Sequence, residues 1–540
     1  MHDDVRTVPE NAVARIVARD GSLYSDDASV AAEAAAYMGW TDLAEQADAV
    51  LPGIEALVAD IKAEGLSDVV VLGMGGSSLA ALVMGALLPG DGTRLHVLDT
   101  TSPISVTHVL ELINPATTLH LMSSKSGGTI EPNALYAIFR DRADEALGRE
   151  AAGLRFVAIT DPGSSLERLA EQDGMRACVL APPTVGGRYS ALTAFGLVPA
   201  ALIGADVRSL VTRAQQVERA FSDGMPDTGL AEHLAAAYRR GADKLIISAD
   251  PELRVFGLWI EQLVAESLGK AGLGMVPVIA HAQQTDARRA DEVLVALSRT
   301  SEAGTAKPNG DEAYPMVLAD PYELGGWFVL WEYSVAIMGA VLGVNPFDQP
   351  NVAEAKAATN AVLEGSLDPP APQGAFDGVH FTFAGGLPEP GHIERSMSTA
   401  LAHALAEVGD DGYLALLAYL PDDEGLLAPL RDALSVVADA IGAPSCFELG
   451  PRYLHSTGQL HKGGPNSGVF VMVTTRDGAD IDIPGWPFGL RGLHAAQADG
   501  DLTALSAHGR KVLRLDLSDA SAAAVTSLAR AFLDSRSLAL

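Results

Sequence analysis

The sequence predicts an α/β fold: two doubly wound parallel-sheet units behind an N-terminal helical extension. Three observations carry that expectation. Val69, Val70, Val71 and Leu72 form an unbroken apolar run that passes directly into Gly73, Gly75, Gly76, Ser77 and Ser78. Such a run fits a strand covered on both faces, the usual state of a parallel sheet. Residues 118–122 (TLHLM) repeat the arrangement, running into Ser123, Ser124, Lys125, Ser126, Gly127, Gly128 and Thr129, then a helix with Pro132 in its first turn. From 69 to about 204, short apolar strands at 95–98, 118–122, 154–159 and 177–180 alternate with helical patterns, which is the signature of a doubly wound unit.

Taken in order, residues 10–65 read as helical, with Ala- and Val-rich segments at 12–17 and 54–61. After the first unit, strands are expected at 245–248, 275–279, 316–318, 379–383, 413–420, 446–449, 469–475 and 512–517. The Pro/Gly-rich segment 366–378 (SLDPPAPQGAFDG) reads as a connection inside the second unit. Residues 324–344 are apolar enough to suggest a membrane span, but Glu332 interrupts them and Asn345-Pro346 stops them, so a buried core helix is expected. The expected division is a helical extension at 1–66, a first α/β domain at 67–205 and a second at 206–540.

At 540 residues the chain exceeds one ordinary core. A formal net charge of −32 repels nucleic acid and anionic membranes at long range, so an anionic ligand needs a local positive or dipolar pocket. Cys178 and Cys446 are the only cysteines, which gives neither a disulfide framework nor a zinc cluster. No His/Cys/carboxylate cluster has ligand spacing, so no metal is expected. This cysteine usage makes a reducing compartment the expectation, and the N-terminus lacks the basic-then-apolar build of a signal peptide.

The strand-end loops point to an anion. Gly75 and Gly76 let the backbone approach a ligand, and Ser77 and Ser78 stand where free helix N–H groups favour negative charge. The spacing is neither a P-loop nor GxGxxG, and a plain tight turn is the alternative. Two such loops at the carboxyl ends of two parallel strands would face one crevice. Other strand ends, at 99–102, 160–164 and 186–190, are also polar and are expected to open onto it.

Four single residues carry candidate chemistry. Glu266 continues the stripe Phe256, Trp259 and Leu263 on a helix expected over 256–270; it is either a carboxylate aimed at a cleft, suited to general base work, or a solvated helix end. Arg188, in a Gly-Gly-Arg-Tyr-Ser turn with Gly187, either stabilises developing negative charge or ties down its loop. Lys356 shares a helix face with Val352, Thr359 and Leu363, where a snorkelling structural lysine is the competing reading. His455 lies in GPRYLHSTGQLHKGG and is the natural proton donor, with His461 and His281 as rivals.

The segments 73–78, 124–129, 186–190, Glu266-Ser267-Leu268-Gly269-Lys270 and 343–356 (GVNPFDQPNVAEAK), in this order, resemble the motifs of glucose-6-phosphate isomerase. The resemblance runs from about 69 to 356. The later GPRYLHSTGQLHKGGPNSG resembles the isomerase half of transaldolase–isomerase fusion proteins and related stand-alone bacterial enzymes. It implies a cytoplasmic aldose–ketose isomerase built from two sugar isomerase domains, interconverting glucose 6-phosphate and fructose 6-phosphate without metal or organic cofactor. It further implies that Ser77, Ser124, Lys125, Ser126 and Thr129 hold the phosphate and that Gly75, Gly76 and Gly187 shape the binding loop. Glu266 then moves a proton between C2 and C1 through a cis-enediol, Arg188 stabilises that intermediate, and His455 with Lys356 opens the sugar ring.

One departure stands out. In the family the histidine loop falls between the glutamate motif and the NPFDQP–lysine motif, whereas LHSTGQ here follows both. Either this loop reaches the same cleft by another route, or His281 or another residue opens the ring. A histidine supplied by a partner subunit would make a homodimer part of catalysis. Two alternatives remain at the level of function: a sugar-phosphate-binding regulator that kept the loops and lost the chemistry, and an isomerase that also accepts mannose 6-phosphate.

Overall fold

β1 (Asp68–Gly73) is buried along its whole length, as its β-branched run requires of a central strand. In the computed structural model, which describes residues 7–281, 289–300, 313–390 and 396–539, it is joined by β2 (Arg94–Leu98), β3 (Thr118–Ser123), β4 (Phe156–Thr160) and β5 (Ala177–Leu180). The sheet order is β2-β1-β3-β4-β5, with every pairing parallel. A second, four-stranded parallel sheet follows: β6 (Lys244–Ala249), β7 (Val276–Ile279), β8 (Glu292–Ser298) and β9 (Tyr314–Val317), in the order β7-β6-β8-β9. β8 was not among the expected strands, although its VLVAL run carries the ordinary signal of a buried strand.

These two sheets belong to one compact unit, Met1–Asp99 with Val109–Asp348. Its core is continuous from the N-terminal helix Leu43–Ala63, through Leu51 and Ile54, to Phe195, Trp259 and Trp331. The apolar helix Leu324–Leu342 is long and apolar enough to cross a membrane, yet almost its whole surface is buried inside this unit. It ends at Gly343, whose left-handed φ of 69° lets the chain leave the helix without strain. The expected core helix is therefore observed.

The other unit comprises Thr100–His108 and Gln349–Leu540. It holds β10 (Gly374–Phe376), β11 (Val379–Gly385), β12 (Tyr413–Ala418), β13 (Ser445–Leu449), β14 (Gly468–Thr475) and β15 (Lys511–Leu517), in the order β10-β11-β15-β14-β12-β13. Only β12, β13, β14 and β15 are parallel; β11 runs antiparallel to β15 and pairs with β10 as a hairpin. The hairpin turn is Asp377-Gly378, both at positive φ (47° and 80°), the geometry that matches the twist of the flanking strands. The 366–378 connection thus ends in an edge strand, and the sheet is mixed rather than wholly parallel.

Two expectations are corrected here. The range 206–540 contains two sheets with separate cores, and the compact units divide at 348/349. The strand end at 99–102 joins the other polar loops only through Asp99, whose Oδ2 lies 3.5 Å from Ser78 Oγ; from Thr100 onward it does not. Thr101 lies in the second unit, where its hydroxyl donates to Gln497 Oε1 at 2.6 Å and lies 2.9 Å from His494 Nδ1.

Candidate active site

Three strand-end loops of the first unit are tied together. Ser123 Oγ, at the end of β3, donates to the Ser77 carbonyl at 2.8 Å, joining the loop after β3 to the loop after β1. The 75–77 turn meets the 187–189 turn so closely that a Cβ on Gly76 would lie 2.0 Å from the Gly187 carbonyl oxygen. Only glycine permits this approach. Ser190 Oγ donates to the Gly187 carbonyl at 2.6 Å, which closes its own turn.

The loop after β3 turns at Gly127, where φ is +69° and a Cβ would sit 2.5 Å from the Leu166 nitrogen. Gly128 N–H donates to Ser126 Oγ at 3.2 Å, Ser124 Oγ lies 3.4 Å from Thr129 Oγ1, and Thr129 stands immediately before the helix Ile130–Leu147. Ser77 and Ser124 are buried, while Ser126 is exposed. A hydroxyl-rich loop at a helix N-terminus suits a phosphate. Lys125, however, forms an ion pair with Asp161 and also donates to the Pro183 carbonyl at 3.4 Å. Its charge is anchored by a carboxylate of the neighbouring strand end.

Arg188 connects these loops to the candidate base. Fully buried, it donates from Nε to Ser267 Oγ at 2.9 Å, from Nη1 to Glu266 Oε2 at 3.4 Å, and from Nη2 to the carbonyls of Pro346 (2.6 Å) and Asp348 (2.8 Å). Glu266 lies on the buried helix Arg254–Leu268 and also accepts from Gln262 Nε2 at 3.3 Å. It is 6 % exposed, which decides against the solvated helix end. Lys270 is buried beside them and donates to the Asn345 carbonyl and to the Asp348 carbonyl and carboxylate. Burial first, and the Arg188 guanidinium second, pull its ammonium down to about 7. The 345–348 turn thus directs its carbonyls at two cations, which hold Arg188 against Glu266.

Lys356 and His455 lie in the second unit. The helix Pro350–Leu363 buries Val352, Ala355 and Thr359, while Lys356 is exposed. His455 is half-buried in the short turn Arg452–His455. Its loop is joined to the Lys356 helix by a reciprocal amide pair: Asn351 N–H donates to Gln459 Oε1 at 2.9 Å, and Gln459 Nε2 to Asn351 Oδ1 at 2.8 Å. The rival His461 is fully buried 3.1 Å from the Tyr413 hydroxyl, and burial followed by the Lys462 and Arg510 charges drives its pKa well below the ordinary value. A neutral core imidazole is a poor acid. His281, the other rival, is exposed after β7.

The sequence profile of the phosphoglucose isomerase family matches residues 4–283, more than half of the chain. The chain belongs to the phosphoglucose isomerase family. It is 31 % identical over 397 residues to the glucose-6-phosphate isomerase of Symbiobacterium thermophilum, covering 61 % of this chain and 87 % of that protein. With the enzyme of the same name from Rubrobacter xylanophilus it shares 29 % over 364 residues, 56 % of this chain and 83 % of the other. A glucose-6-phosphate isomerase structure from Chlamydia trachomatis aligns with 65 % of the chain and 78 % of its own at TM-score 0.47 and 18 % identity. Family membership makes the chain an aldose–ketose isomerase acting on a sugar phosphate.

Within this isomerase, Ser267, Lys270, Gln262 and the 345–348 carbonyls surround the Arg188–Glu266 pair, and residue-level reading assigned them no role. Ser267, Lys270 and Asp348 do fall inside the quoted ESLGK and NPFDQP segments. Gln262 had a plainer signal: it precedes Glu266 by one helical turn.

Proposed function

We propose that this phosphoglucose isomerase interconverts glucose 6-phosphate and fructose 6-phosphate by proton transfer through a cis-enediol, with Glu266 as the base. The observation that carries the reading is the buried Arg188–Glu266 pair, 3.4 Å apart and reached from the loops after β1 and β3 through the Gly76–Gly187 contact. Glu266 removes the C2 proton of the open-chain aldose. Electron density moves to the carbonyl oxygen O1, which takes up a proton to complete the enediol; the O2 hydroxyl then gives up its proton to become the ketone as the same carboxyl returns the C2 proton to C1. Arg188 supplies positive charge beside the base, where the enediol oxygens gain negative character. Ser77, Ser124, Ser126 and Thr129 hold the phosphate through hydroxyls and loop N–H groups, with Lys125 contributing from its ion pair with Asp161. His455, with Lys356 on the helix its loop is bonded to, donates the proton that opens the ring.

On this reading the enzyme is cytoplasmic and a homodimer; Cys178 and Cys446, not joined in a disulfide, suit a reducing compartment. Sedimentation of the purified chain checks the dimer. The chemistry is tested by Glu266→Gln: in D2O, wild-type enzyme incorporates solvent deuterium at C2, and the variant loses exchange and turnover together by at least ~10²-fold while still binding the phosphate ester. Persistent exchange in the variant removes Glu266 from the role of base.

A further inference from the structure

The second unit contains a cavity of about 290 Å³ that none of the proposed catalytic or phosphate-binding residues lines. It sits beyond the carboxyl ends of β12, β14 and β15, bounded by Tyr419 and Pro421, by Thr474 and Thr475, and by the 519–521 turn. β12 and β14 are adjacent parallel strands, yet the chain leaves them in opposite senses. The helix after β12, Glu424–Ile441, packs with Ala522–Ala539, whereas the helix after β14, Leu490–Ala507, packs with Pro350–Leu363. The cavity therefore coincides with the topological switch point of this sheet, where open α/β folds hold ligands.

Its walls define the ligand's chemistry. Arg491 and Arg514 bring positive charge, and Arg514 is fixed in orientation by Asp516, which accepts from Nε at 2.6 Å, and by Asp499. Asp477 and Asp519 bring carboxylates that accept hydrogen bonds from hydroxyls but repel a second phosphate. Ile104 and small alanines supply an apolar wall for a ring face. The volume lies near the lower limit for small-molecule pockets, about 300 Å³, and excludes a dinucleotide.

We propose that this cavity is a second, non-catalytic binding site for a compact phosphorylated polyol, a phosphate monoester carrying free vicinal hydroxyls. The phosphate lies against Arg491, Arg514 and the Thr475 hydroxyl, and the carboxylates of Asp477 and Asp519 accept from the diol.

The test is calorimetric titration of the full chain with ribose 5-phosphate, in a Ser126→Glu background that places a carboxylate in the phosphate loop of the first unit. Ribose 5-phosphate binds that background, Arg491→Glu weakens it about 10-fold or more, and Ala495→Trp, which fills the cavity from an exposed helix position, abolishes it. With Ser126 restored, Arg491→Glu and Ala495→Trp each retain wild-type glucose 6-phosphate turnover, which separates this site from the isomerase chemistry. A parallel titration with AMP identifies the source: tighter binding than ribose 5-phosphate means that the apolar wall reads a base, weaker binding that only the sugar phosphate is read. No heat in the Ser126→Glu background, or the same affinity in both cavity variants, overturns the proposal.

Discussion

Arg188→Lys keeps the positive charge and removes the geometry, which makes it the sharpest probe of the proposed catalytic centre. The guanidinium reaches four acceptors on three sides: Ser267, Glu266, and the carbonyls of Pro346 and Asp348. An ammonium is a single point charge and cannot span the Ser267 side and the 345–348 turn at once. Two or three hydrogen bonds with a charged donor are then lost, each worth about 1.5–3 kcal/mol, and some are recovered by rearrangement and by Lys270 nearby. Disrupting a buried ion pair costs about 3–5 kcal/mol, and because lysine keeps part of the attraction we expect a loss near the lower end, about 3 kcal/mol. On the proposed role of Arg188, displacing its charge from the enediol oxygens is expected to lower kcat/KM by ~10²–10³-fold. Urea denaturation measures the first effect, and fructose 6-phosphate turnover coupled to glucose-6-phosphate dehydrogenase the second. A destabilised variant with wild-type turnover would refute the catalytic argument, because Arg188 would then only tie down the turn.

Three further outcomes are expected. Gly76→Ala forces a Cβ to within 2.0 Å of the Gly187 carbonyl oxygen, so the two turns separate; small displacements of this kind cost ~10²-fold in turnover, and a fully active variant contradicts the close approach. Glu218 accepts from the Ala44 and Glu45 N–H groups, but burial dominates and raises its pKa from 4.5 to about 8. The folded state therefore keeps a proton that the unfolded chain releases between those values. Its contribution to stability is complete below pH 4.5 and falls by about 1.4 kcal/mol per pH unit toward pH 8; urea midpoints across this range should decline less steeply in Glu218→Gln. His455→Ala should slow turnover of the cyclic sugar far more than proton exchange from an open-chain substrate, since only ring cleavage needs its proton; equal losses would make His455 a support of its loop.

Much of the fold was legible because strand signals are local. The runs at β1 and β3 and their glycine–hydroxyl loops announce themselves in six or seven residues, and burial on both faces follows from the absence of polar alternation. Glu266 was legible only as one of two alternatives: periodicity put it on the apolar stripe, but the partner that buries it, Arg188, is 78 residues away in sequence. The 345–348 carbonyls were invisible for the same reason, and backbone acceptors leave no mark in residue type. Lys356 shows the limit of a face argument: Val352 and Thr359 are buried as expected, yet the helix turns Ala355 rather than Lys356 toward the interior. The assignment of 99–102 to the common crevice failed beyond Asp99, which lies beside Ser78, because a polar strand end states that something binds there, not which element does; Thr101 is bonded to Gln497.

That last segment also constrains how the molecule can be taken apart or assembled. Because Thr100–His108 is grouped with Gln349–Leu540, no single cut of the chain separates the two units. A fragment ending at 348 strands Thr101 without Gln497, and a fragment beginning at 349 lacks the Ser102, Pro103 and Ile104 wall of its cavity. A gene joining event that merely appended the second unit behind the first would have left both surfaces unfinished, so the two stretches must change together, and recombination between relatives that respects only the 348/349 boundary should yield mismatched, poorly folding hybrids.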